Sequence, residues 1–470
     1  MLKCGKKVSR NCVLAIDAGS SGCRALIFDL QGTVVSSAYQ KWAYDRPAET
    51  APLGRQFDPL TFWNIICQLI SQAIRESAVA PSDIIAVSTA SQRQGVVFLD
   101  SHGNELYAGP NTDLRALAEG FSIDSEFGSD IYRITGHTPS FLFTPAKLRW
   151  FKAHHPHVYK QVAKVLSINN WVVYRLCGAC VGELSSAADI GLVDIARSDW
   201  STQLLEMLDL PQKVCPDMAS AGTCVGEVTR VAAAQSGLAQ GTMVVVGGAD
   251  TQCGLQGMVV NKEAQVGIVA GWSASIQMAT VKPVIDPRER IWSGCHVLPG
   301  RWILESNATE SGGAYSWLKA LLYDDKALDA NGDTYATMDR LAQEVPIGVD
   351  GVLAFIGPRI MDMTRLRLGL GGFLFPIPPS VSGIERKHLI RAALENLCFA
   401  FKANCAQLEE ISKFEVRKVS IGGGLTQSRS LVQMLSDVLG LPVRCFEDPQ
   451  VTSYGAVSYT HLTLPTILLV

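Results

Sequence analysis

Two stretches of the chain share the same order of apolar and small polar positions. In Val13–Phe28, an apolar run leads into Asp17 and a turn of small residues, and a second apolar run follows. Two apolar runs around a glycine-containing turn predict a β-hairpin. Gln265–Met278 repeats this order about half a chain later. The repetition predicts two similar halves.

Strand and helix patterns alternate through the rest of the chain. Asp58 followed by Pro59 predicts a helix start, because aspartate caps a first turn and proline fits its first position. The predicted strands cover residues 84–87, 96–99, 243–246 and 416–421, and the predicted helices begin near residues 59, 144, 170, 311, 334, 387 and 428. Such alternation is typical of α/β layers.

Domain limits follow from the same pattern. We place a boundary after residue 249, where a buried strand runs into a glycine turn, which gives predicted domains over residues 11–249 and 250–457. Residues 458–470 form an apolar, β-prone string without caps that continues no earlier pattern. We interpret it as a foreign or truncated tail, and a natural edge strand is the alternative.

Composition excludes several classes of function. The formal net charge of −3 argues against a protein that binds nucleic acid by neutralising phosphates. No stretch reaches the roughly 18 apolar residues of a membrane-spanning helix. Thirteen scattered cysteines are typical of reduced thiols, so we expect a cytoplasmic protein. The sequence leaves a homodimer open.

The first hairpin turn carries chemistry suited to phosphate. Gly19, Ser20 and Ser21 offer backbone N–H groups and hydroxyls, Arg24 adds a fixed positive charge, and Asp17 can hold Mg²⁺. No Gly-Lys-Ser/Thr follows, so the turn is not a Walker A loop. We predict a binding site for the phosphates of a nucleotide, and an ordinary hairpin is the alternative.

The second half supplies matching elements. Gly271 and Ser273 form the second phosphate-type turn. The run Gly422, Gly423, Gly424 lies between a predicted strand and a helix that begins near Ser428. Glycines there allow an adenine or an α-phosphate to lie against the backbone. A plain strand–helix turn is the alternative.

Asp250 is the candidate catalytic base. It follows a buried strand and two glycines, where a carboxylate can be held rigidly beside a ligand. Phosphoryl transfer needs Mg²⁺ and a carboxylate that accepts the proton of the attacking hydroxyl. We therefore predict Asp250 as base and as a second metal ligand with Asp17; a turn-forming aspartate is the alternative.

Short polar loops are the candidate substrate site. They combine donors and acceptors of the kind that a polyhydroxylated substrate needs, although surface polarity is the alternative for any single member. The predicted contacts are Gln92, Arg93, Gln94, Asn111, Asp113 and Gln252.

These motifs together resemble the FGGY carbohydrate kinases of the actin/hexokinase/Hsp70 superfamily. The similar segments are Asp17–Arg24 for the first phosphate motif, residues 248–252 for the base, residues 267–273 for the second phosphate motif and residues 422–424 for adenosine. The resemblance implies two ribonuclease-H-like domains with an interdomain cleft. It also implies ATP and Mg²⁺ in that cleft, and transfer of the γ-phosphate to a sugar or polyol hydroxyl.

Within that family, the chain looks most like the autoinducer-2 kinases, for example at Pro110–Ala116 and Ile131–Gly136. The first alternative is a xylulose, glycerol or other polyol kinase of the same family. The second alternative is a non-catalytic regulator that binds ATP and sugar. Three positions depart from the family pattern. Gln94 stands in place of an acid, Trp272 in place of a threonine, and Ile356–Arg359 in place of Ser-Gly-Glu-Arg.

Overall fold

The computed structural model describes residues 11–323, 334–365, 369–446 and 450–458. They divide into two compact units. The first unit contains the described residues up to Gly257, Gly294–Gly300 and those from Thr452 onward. The second unit contains the described residues of Met258–Ser293 and Arg301–Val451.

The first unit extends beyond the boundary predicted after residue 249. The helix that begins at Asp250 belongs to it, because Cys253 on that helix is buried against Ala90 and Ala456. Residues 451–458 are helical, and residues 459–470 of the predicted tail lie outside the described residues.

The first unit is built on a six-stranded mixed sheet. Its order is β12-β13-β4-β1-β2-β3; β1 pairs antiparallel with β2 and parallel with β4, and β4 pairs parallel with β13. The strands of this unit are β1 Cys12–Ala18, β2 Gly22–Asp29, β3 Val34–Lys41, β4 Ile84–Ser91, β5 Val96–Leu99, β6 Glu105–Gly109, β7 Lys164–Ser167, β8 Val181–Glu183, β9 Val193–Asp194, β10 Asp199–Trp200, β11 Asp217–Ala219, β12 Cys224–Glu227 and β13 Met243–Ala249.

Helices cover this sheet and extend the unit. The helix predicted at Pro59 is confirmed, and Asp58 caps it by accepting a 2.9 Å hydrogen bond from the N–H of Thr61. Its residues Trp63, Ile66 and Ile70 are buried in the main core with the inward side chains of β1 and β2. The helices are α1 Pro59–Ser77, α2 Leu117–Thr135, α3 Thr144–His154, α4 Pro156–Gln161, α5 Ile168–Cys177, α6 Leu184–Asp189, α7 Thr202–Met207, α8 Arg230–Ser236 and α9 Asp250–Gly257.

The second unit repeats this plan. Its sheet has the order β16-β17-β15-β14-β20-β21; β14 pairs antiparallel with β15 and parallel with β20, and β20 pairs parallel with β21. The strands are β14 Val266–Ala270, β15 Ser273–Thr280, β16 Trp292–Cys295, β17 Trp302–Glu310, β18 Leu353–Phe355, β19 Gly372–Leu374, β20 Val419–Gly422 and β21 Val443–Cys445.

Four helices of the second unit begin near predicted positions, and the short helix Pro379–Ser382 was not predicted. The helices are α10 Gly312–Leu322, α11 Thr334–Gln343, α12 Pro379–Ser382, α13 Arg386–Ser412 and α14 Arg429–Leu439. Both predicted hairpins, β1–β2 and β14–β15, are confirmed. In each, the first strand also pairs parallel with a later strand, β4 or β20. In the described ranges, no helix combines the length and apolarity that crossing a bilayer requires.

Candidate active site

The first hairpin turn is tied down by its carbonyl groups. The Gly19 carbonyl accepts a hydrogen bond from the Trp42 indole at 3.1 Å, and the Ser20 carbonyl accepts one from the Tyr44 hydroxyl at 2.8 Å. Within the described residues, the N–H groups of residues 19–21 donate no hydrogen bond. Successive N–H groups of this kind can bind phosphate oxygens.

Asp17 and Arg24 are paired across this hairpin. Burial raises the pKa of Asp17 to about 6, while the positive charge of Arg24 opposes the rise. The Arg24 guanidinium carbon lies 4.9 Å from the centre of the Tyr39 ring. A carboxylate and a guanidinium at one turn suit a metal ion and a phosphate, respectively.

Asp250 begins α9 directly after β13. Its Oδ1 accepts a 2.7 Å hydrogen bond from the N–H of Thr251. Burial raises the pKa of Asp250 to about 7. The charge of Arg93 opposes this rise, and the negative charges of Asp17 and Asp189 add to it. A carboxylate that titrates near neutral pH suits a general base.

This environment gives a pH prediction. Only a deprotonated carboxylate can accept a proton. With Asp250 as the base, we expect kcat/KM to rise as the pH increases through about 7. A pH–rate profile measures this rise. A flat profile across neutral pH would contradict a base in this environment.

A buried carboxylate that the sequence did not single out supports the backbone before Asp250. Glu183 is fully buried, and its Oε2 accepts a 2.7 Å hydrogen bond from the Ser185 hydroxyl. That hydroxyl accepts a 3.1 Å hydrogen bond from the N–H of Ala249. Burial raises the pKa of Glu183 to about 7, against hydrogen bonds from Ser185 and Ser186. This chain of bonds holds the backbone that presents Asp250.

The predicted substrate loop is bonded to the first phosphate turn. Gln92 is buried, and its Nε2 donates to the Tyr44 hydroxyl at 2.8 Å and the Gly19 carbonyl at 3.3 Å. Its Oε1 accepts a 3.0 Å hydrogen bond from the N–H of Asn111. The Asn111 Nδ2 in turn donates to Ser20 Oγ at 2.8 Å. Both ends of the Gln92 amide are therefore hydrogen-bonded within the protein, and these bonds hold the loops together.

Two buried polar atoms of these loops remain available to a ligand. Gln94 adopts a left-handed backbone conformation with φ of 58°, and its side chain is buried. In the described part of the chain, Gln94 Nε2 and Asn111 Oδ1 make no hydrogen bond. Because an unbonded buried polar atom costs free energy, a hydroxyl-rich ligand is a suitable partner.

Asp113 has a different environment from the other predicted substrate residues. Its fully buried carboxylate accepts hydrogen bonds from Arg115 Nε at 2.8 and 3.0 Å. It also accepts hydrogen bonds from the Tyr107 hydroxyl and from the N–H of Arg55 at 2.8 Å. The sequence predicted a substrate contact, whereas the structure places this carboxylate in a buried ion pair that shapes the loop.

Four side chains meet beside the candidate base. Gln252 Nε2 donates to Asp189 Oδ2 at 3.1 Å. Asp189 Oδ1 lies 3.8 Å from Arg93 Nη1 and 3.5 Å from His137 Nε2. The sequence predicted Arg93 and Gln252 as site residues but missed Asp189 and His137. No local pattern distinguished those two from an ordinary helix-end aspartate and a loop histidine.

The second hairpin turn is bonded to the start of α10. The N–H groups of Ser311 and Gly313 each donate to the Trp272 carbonyl at 3.0 Å, and the N–H of Gly312 donates to the Gly271 carbonyl at 3.2 Å. A Cβ at Gly312 would lie 2.3 Å from the Gly271 carbonyl oxygen, so glycine is required at position 312. The turn is thereby fixed to the helix.

Trp272 projects from this turn and is 64% exposed. With Ser273, Trp317, Phe355 and Arg359 it lines a groove of about 900 Å³ in the second unit. Two departures from the family pattern, at Trp272 and at Ile356–Arg359, therefore line the same groove.

The glycine triad lies beside the second hairpin. Gly422 ends β20, and Gly423 has φ of 105°. A Cβ at Gly423 would lie 2.7 Å from the Ala270 carbonyl oxygen, so only glycine brings the two segments this close. A Cβ at Gly424 would meet no atom within 4 Å. The triad thus offers open backbone next to the turn.

Ser428 has a structural role in the fold. Its hydroxyl accepts a 3.1 Å hydrogen bond from the N–H of Leu431 as the cap of α14, and it donates to Asp339. These bonds fix the end of the loop that follows the triad.

Two α/β units that each contain a phosphate-type hairpin, with a carboxylate directly after a buried strand of the first unit, are the features expected of an ATP-dependent phosphotransferase. Residues 12–257 match the N-terminal domain of the FGGY family of carbohydrate kinases, and residues 266–460 match its C-terminal domain. The chain therefore belongs to the FGGY family of carbohydrate kinases, and the resemblance inferred from its motifs is confirmed. It is a carbohydrate kinase, and membership implies ATP as the phosphate donor.

Several curated relatives carry one name. The autoinducer-2 kinase of Enterobacter sp. (strain 638) is 31% identical over 452 residues, which cover 94% of this chain and 84% of the relative. The autoinducer-2 kinase of Photorhabdus laumondii is 31% identical over 443 residues, which cover 92% and 82%.

Solved structures agree on the fold. The xylulose kinase from Rhodospirillum rubrum has a TM-score of 0.81 and 25% identity, with 96% of this chain and 89% of that one covered. The Plasmodium falciparum glycerol kinase with ADP also has a TM-score of 0.81, at 18% identity and with 97% and 90% covered. At that identity the likeness supports the fold alone.

Proposed function

We propose that this kinase transfers the γ-phosphate of MgATP to a hydroxyl of a small sugar or polyol, with the linear form of autoinducer-2 as the first candidate. The observation that carries the proposal is the meeting of Arg93, Gln252 and Asp189 beside Asp250. The names of the relatives at 31% identity support the choice of candidate. Xylulose and glycerol are the alternative substrates.

Asp250 acts as the general base in this proposal. It accepts the proton of the attacking hydroxyl as the oxygen approaches the γ-phosphate. Burial keeps the pKa of Asp250 near 7, and the positive charge of Arg93 keeps part of the population ionised. The hydrogen-bond chain from Glu183 through Ser185 holds the backbone at Ala249 and so limits movement of the base.

The nucleotide-binding groups in this proposal are mainly backbone groups. In the first unit, the N–H groups of residues 19–21 and the Arg24 guanidinium are the proposed phosphate contacts, and in the second unit the turn at Gly271 and Ser273 is the corresponding element. Residues 422–424 supply a flat backbone surface for adenosine, and Ser428 holds its far end in place.

Magnesium fits the residues of the first unit. No cluster of three or more His, Cys, Asp or Glu side chains able to hold a metal occurs among the described residues. A site with only one or two carboxylates still suits Mg²⁺, because this ion commonly binds through one or two carboxylates together with substrate phosphates. Asp17 and Asp250 would hold it, and when bound it would offset the phosphate charge.

The substrate contacts are Arg93, Gln94, Asn111 and Gln252. Gln94 and Asn111 carry the buried atoms without hydrogen bonds. Gln92 and Asp113 act indirectly in this proposal, by holding the loops that carry the contacting residues.

Arg93→Ala should weaken sugar binding more than ATP binding. Losing a charged donor costs about 1.5–3 kcal/mol, or roughly 10–100-fold in KM for the sugar. Steady-state kinetics with each substrate varied measures the split. Arg133→Ala is the control, because Arg133 forms an exposed ion pair with Asp130. Equal effects of Arg93→Ala on both KM values would contradict its substrate role.

Product analysis tests the proposed function directly. ADP release is measured with MgATP and a panel of the linear autoinducer-2 precursor, xylulose, ribulose, glycerol and erythritol. One strong responder identifies the substrate. Binding of ATP and sugar without transfer would instead indicate a regulator. The proposal also includes a cytoplasmic location. Sedimentation of the purified protein decides between a monomer and a homodimer.

A further inference from the structure

Asp189 is a buried acceptor between two predicted substrate residues. It ends α6 and is 1% exposed. Its Oδ2 accepts the 3.1 Å hydrogen bond from Gln252, and its Oδ1 lies 3.8 Å from Arg93 Nη1. The same carboxylate therefore faces an amide from α9 and a guanidinium from the loop after β4.

His137 faces the same carboxylate oxygen of Asp189 as Arg93 does. It follows α2, is 1% exposed, and its Nε2 lies 3.5 Å from Asp189 Oδ1. Its Nδ1 lies 2.7 Å from the Thr135 carbonyl oxygen. A carbonyl only accepts hydrogen bonds, so Nδ1 is the nitrogen that donates to Thr135, and Nε2 is the nitrogen that faces Asp189. The Phe143 ring packs edge-on against the imidazole at 5.2 Å.

The arrangement explains why a carboxylate can lie here. A buried charge is costly unless it is paired and hydrogen-bonded. Asp189 faces a guanidinium, an imidazole and an amide, and each belongs to a different segment of the first unit. Moving the carboxylate would alter both Arg93 and Gln252 at once.

We propose that Asp189 is a positioning residue for the sugar site, holding the Arg93 guanidinium and the Gln252 amide in one orientation beside Asp250, and that His137 holds Asp189. This inference rests on the proposed function. Both oriented groups are assigned to the sugar, while the nucleotide contacts come from other segments. Loss of Asp189 therefore affects the sugar selectively.

Two pairs of variants test the inference. Asp189→Ala removes the carboxylate, and Asp189→Asn retains its shape. His137→Ala removes the imidazole that faces Asp189, and His137→Gln offers an amide nitrogen in its place. The matched control is Asp286→Asn, since Asp286 is a buried aspartate paired with Arg290 at 2.8 Å in the second unit.

We expect Asp189→Ala to raise the KM for the sugar about tenfold or more, as for the loss of a buried hydrogen bond. The KM for ATP should stay within about twofold. Asp189→Asn should show a smaller sugar effect, and His137→Gln should restore most of what His137→Ala loses. Asp286→Asn should leave both KM values unchanged. If Asp189→Ala does not fold, the KM values for the sugar and for ATP are compared in Asp189→Asn instead.

Equal shifts in both KM values, or equal defects in His137→Gln and His137→Ala, would overturn the inference. Sugar dissociation constants from calorimetry distinguish failure of the inference about Asp189 from failure of the proposed function. A wild type that binds sugar without transferring phosphate refutes the function, and the dissociation constants of the variants then decide the inference. A wild type that binds no sugar of the panel overturns both.

Discussion

Asp250→Asn should abolish phosphoryl transfer while leaving ATP binding nearly intact. Asparagine keeps the shape of the side chain but cannot accept the proton of the attacking hydroxyl, and losing a positioned base costs about 10²–10⁴-fold in rate. Single-turnover kinetics and ATP titration by calorimetry measure the two quantities. Normal turnover by this variant would show that another group is the base.

The same variant should not be less stable at neutral pH. The folded-state pKa of Asp250 is raised from 3.8 to about 7, so the folded protein binds this proton more tightly than the unfolded chain. Ionised Asp250 therefore lowers the free energy of unfolding as the pH rises between those values. Asparagine lacks this cost, so the Tm at neutral pH should equal or exceed that of the wild type. A lower Tm would indicate that lost activity reflects damage to the fold.

Asp113→Ala should strongly destabilise the first unit. Removing one partner of a buried ion pair costs about 3–5 kcal/mol, and here the Arg115 guanidinium would stay buried without its carboxylate. Burial lowers the pKa of Lys147 to about 8, and the charge of Asp113 opposes that shift. Without Asp113, Lys147 should lose its proton more readily. Thermal and urea unfolding measure the change.

Asp130→Ala is the matched control for this variant. Asp130 also pairs with an arginine, Arg133, but both side chains are more than half exposed, and such pairs contribute little to stability. A fully stable Asp113→Ala protein with a raised KM for the sugar would instead support the direct substrate contact that the sequence predicted.

The elements that the sequence predicted well are those determined by local patterns. The hairpin β1–β2 follows from two apolar runs around a glycine turn, and α1 follows from Asp58, Pro59 and the spacing of its apolar side chains. The long helix α13 begins within one residue of its predicted start near residue 387. Each of these depends on residues close together in the chain, so the sequence contains what is needed to predict it.

The partners of polar side chains could not be predicted in this way. Gln92 and Asp113 had the residue types of substrate contacts, but Gln92 binds Tyr44 and Asn111, and Asp113 pairs with Arg115. A buried polar side chain must find a hydrogen-bond partner. Which partner it finds depends on segments that pack together only after folding.

The boundary between the units shows the same dependence. The glycine turn before Asp250 suggested a break in the chain, yet α9 packs with Ala90 and Ala456 in the first unit. Residue 456 is distant in sequence from both. Only the packing of the chain as a whole brings these residues into one core.

The sequence by itself determined the class of this protein, because the glycine turns, the aspartate after a buried strand and the glycine triad are short motifs with local geometry. The tertiary structure alone decided which side chains surround the candidate base and the proposed substrate residues. Asp189, His137, Arg93 and Gln252 come from four separate segments of the first unit. These side chains are buried, and which partner each of them finds depends on how the four segments pack together, because a buried polar group needs a partner.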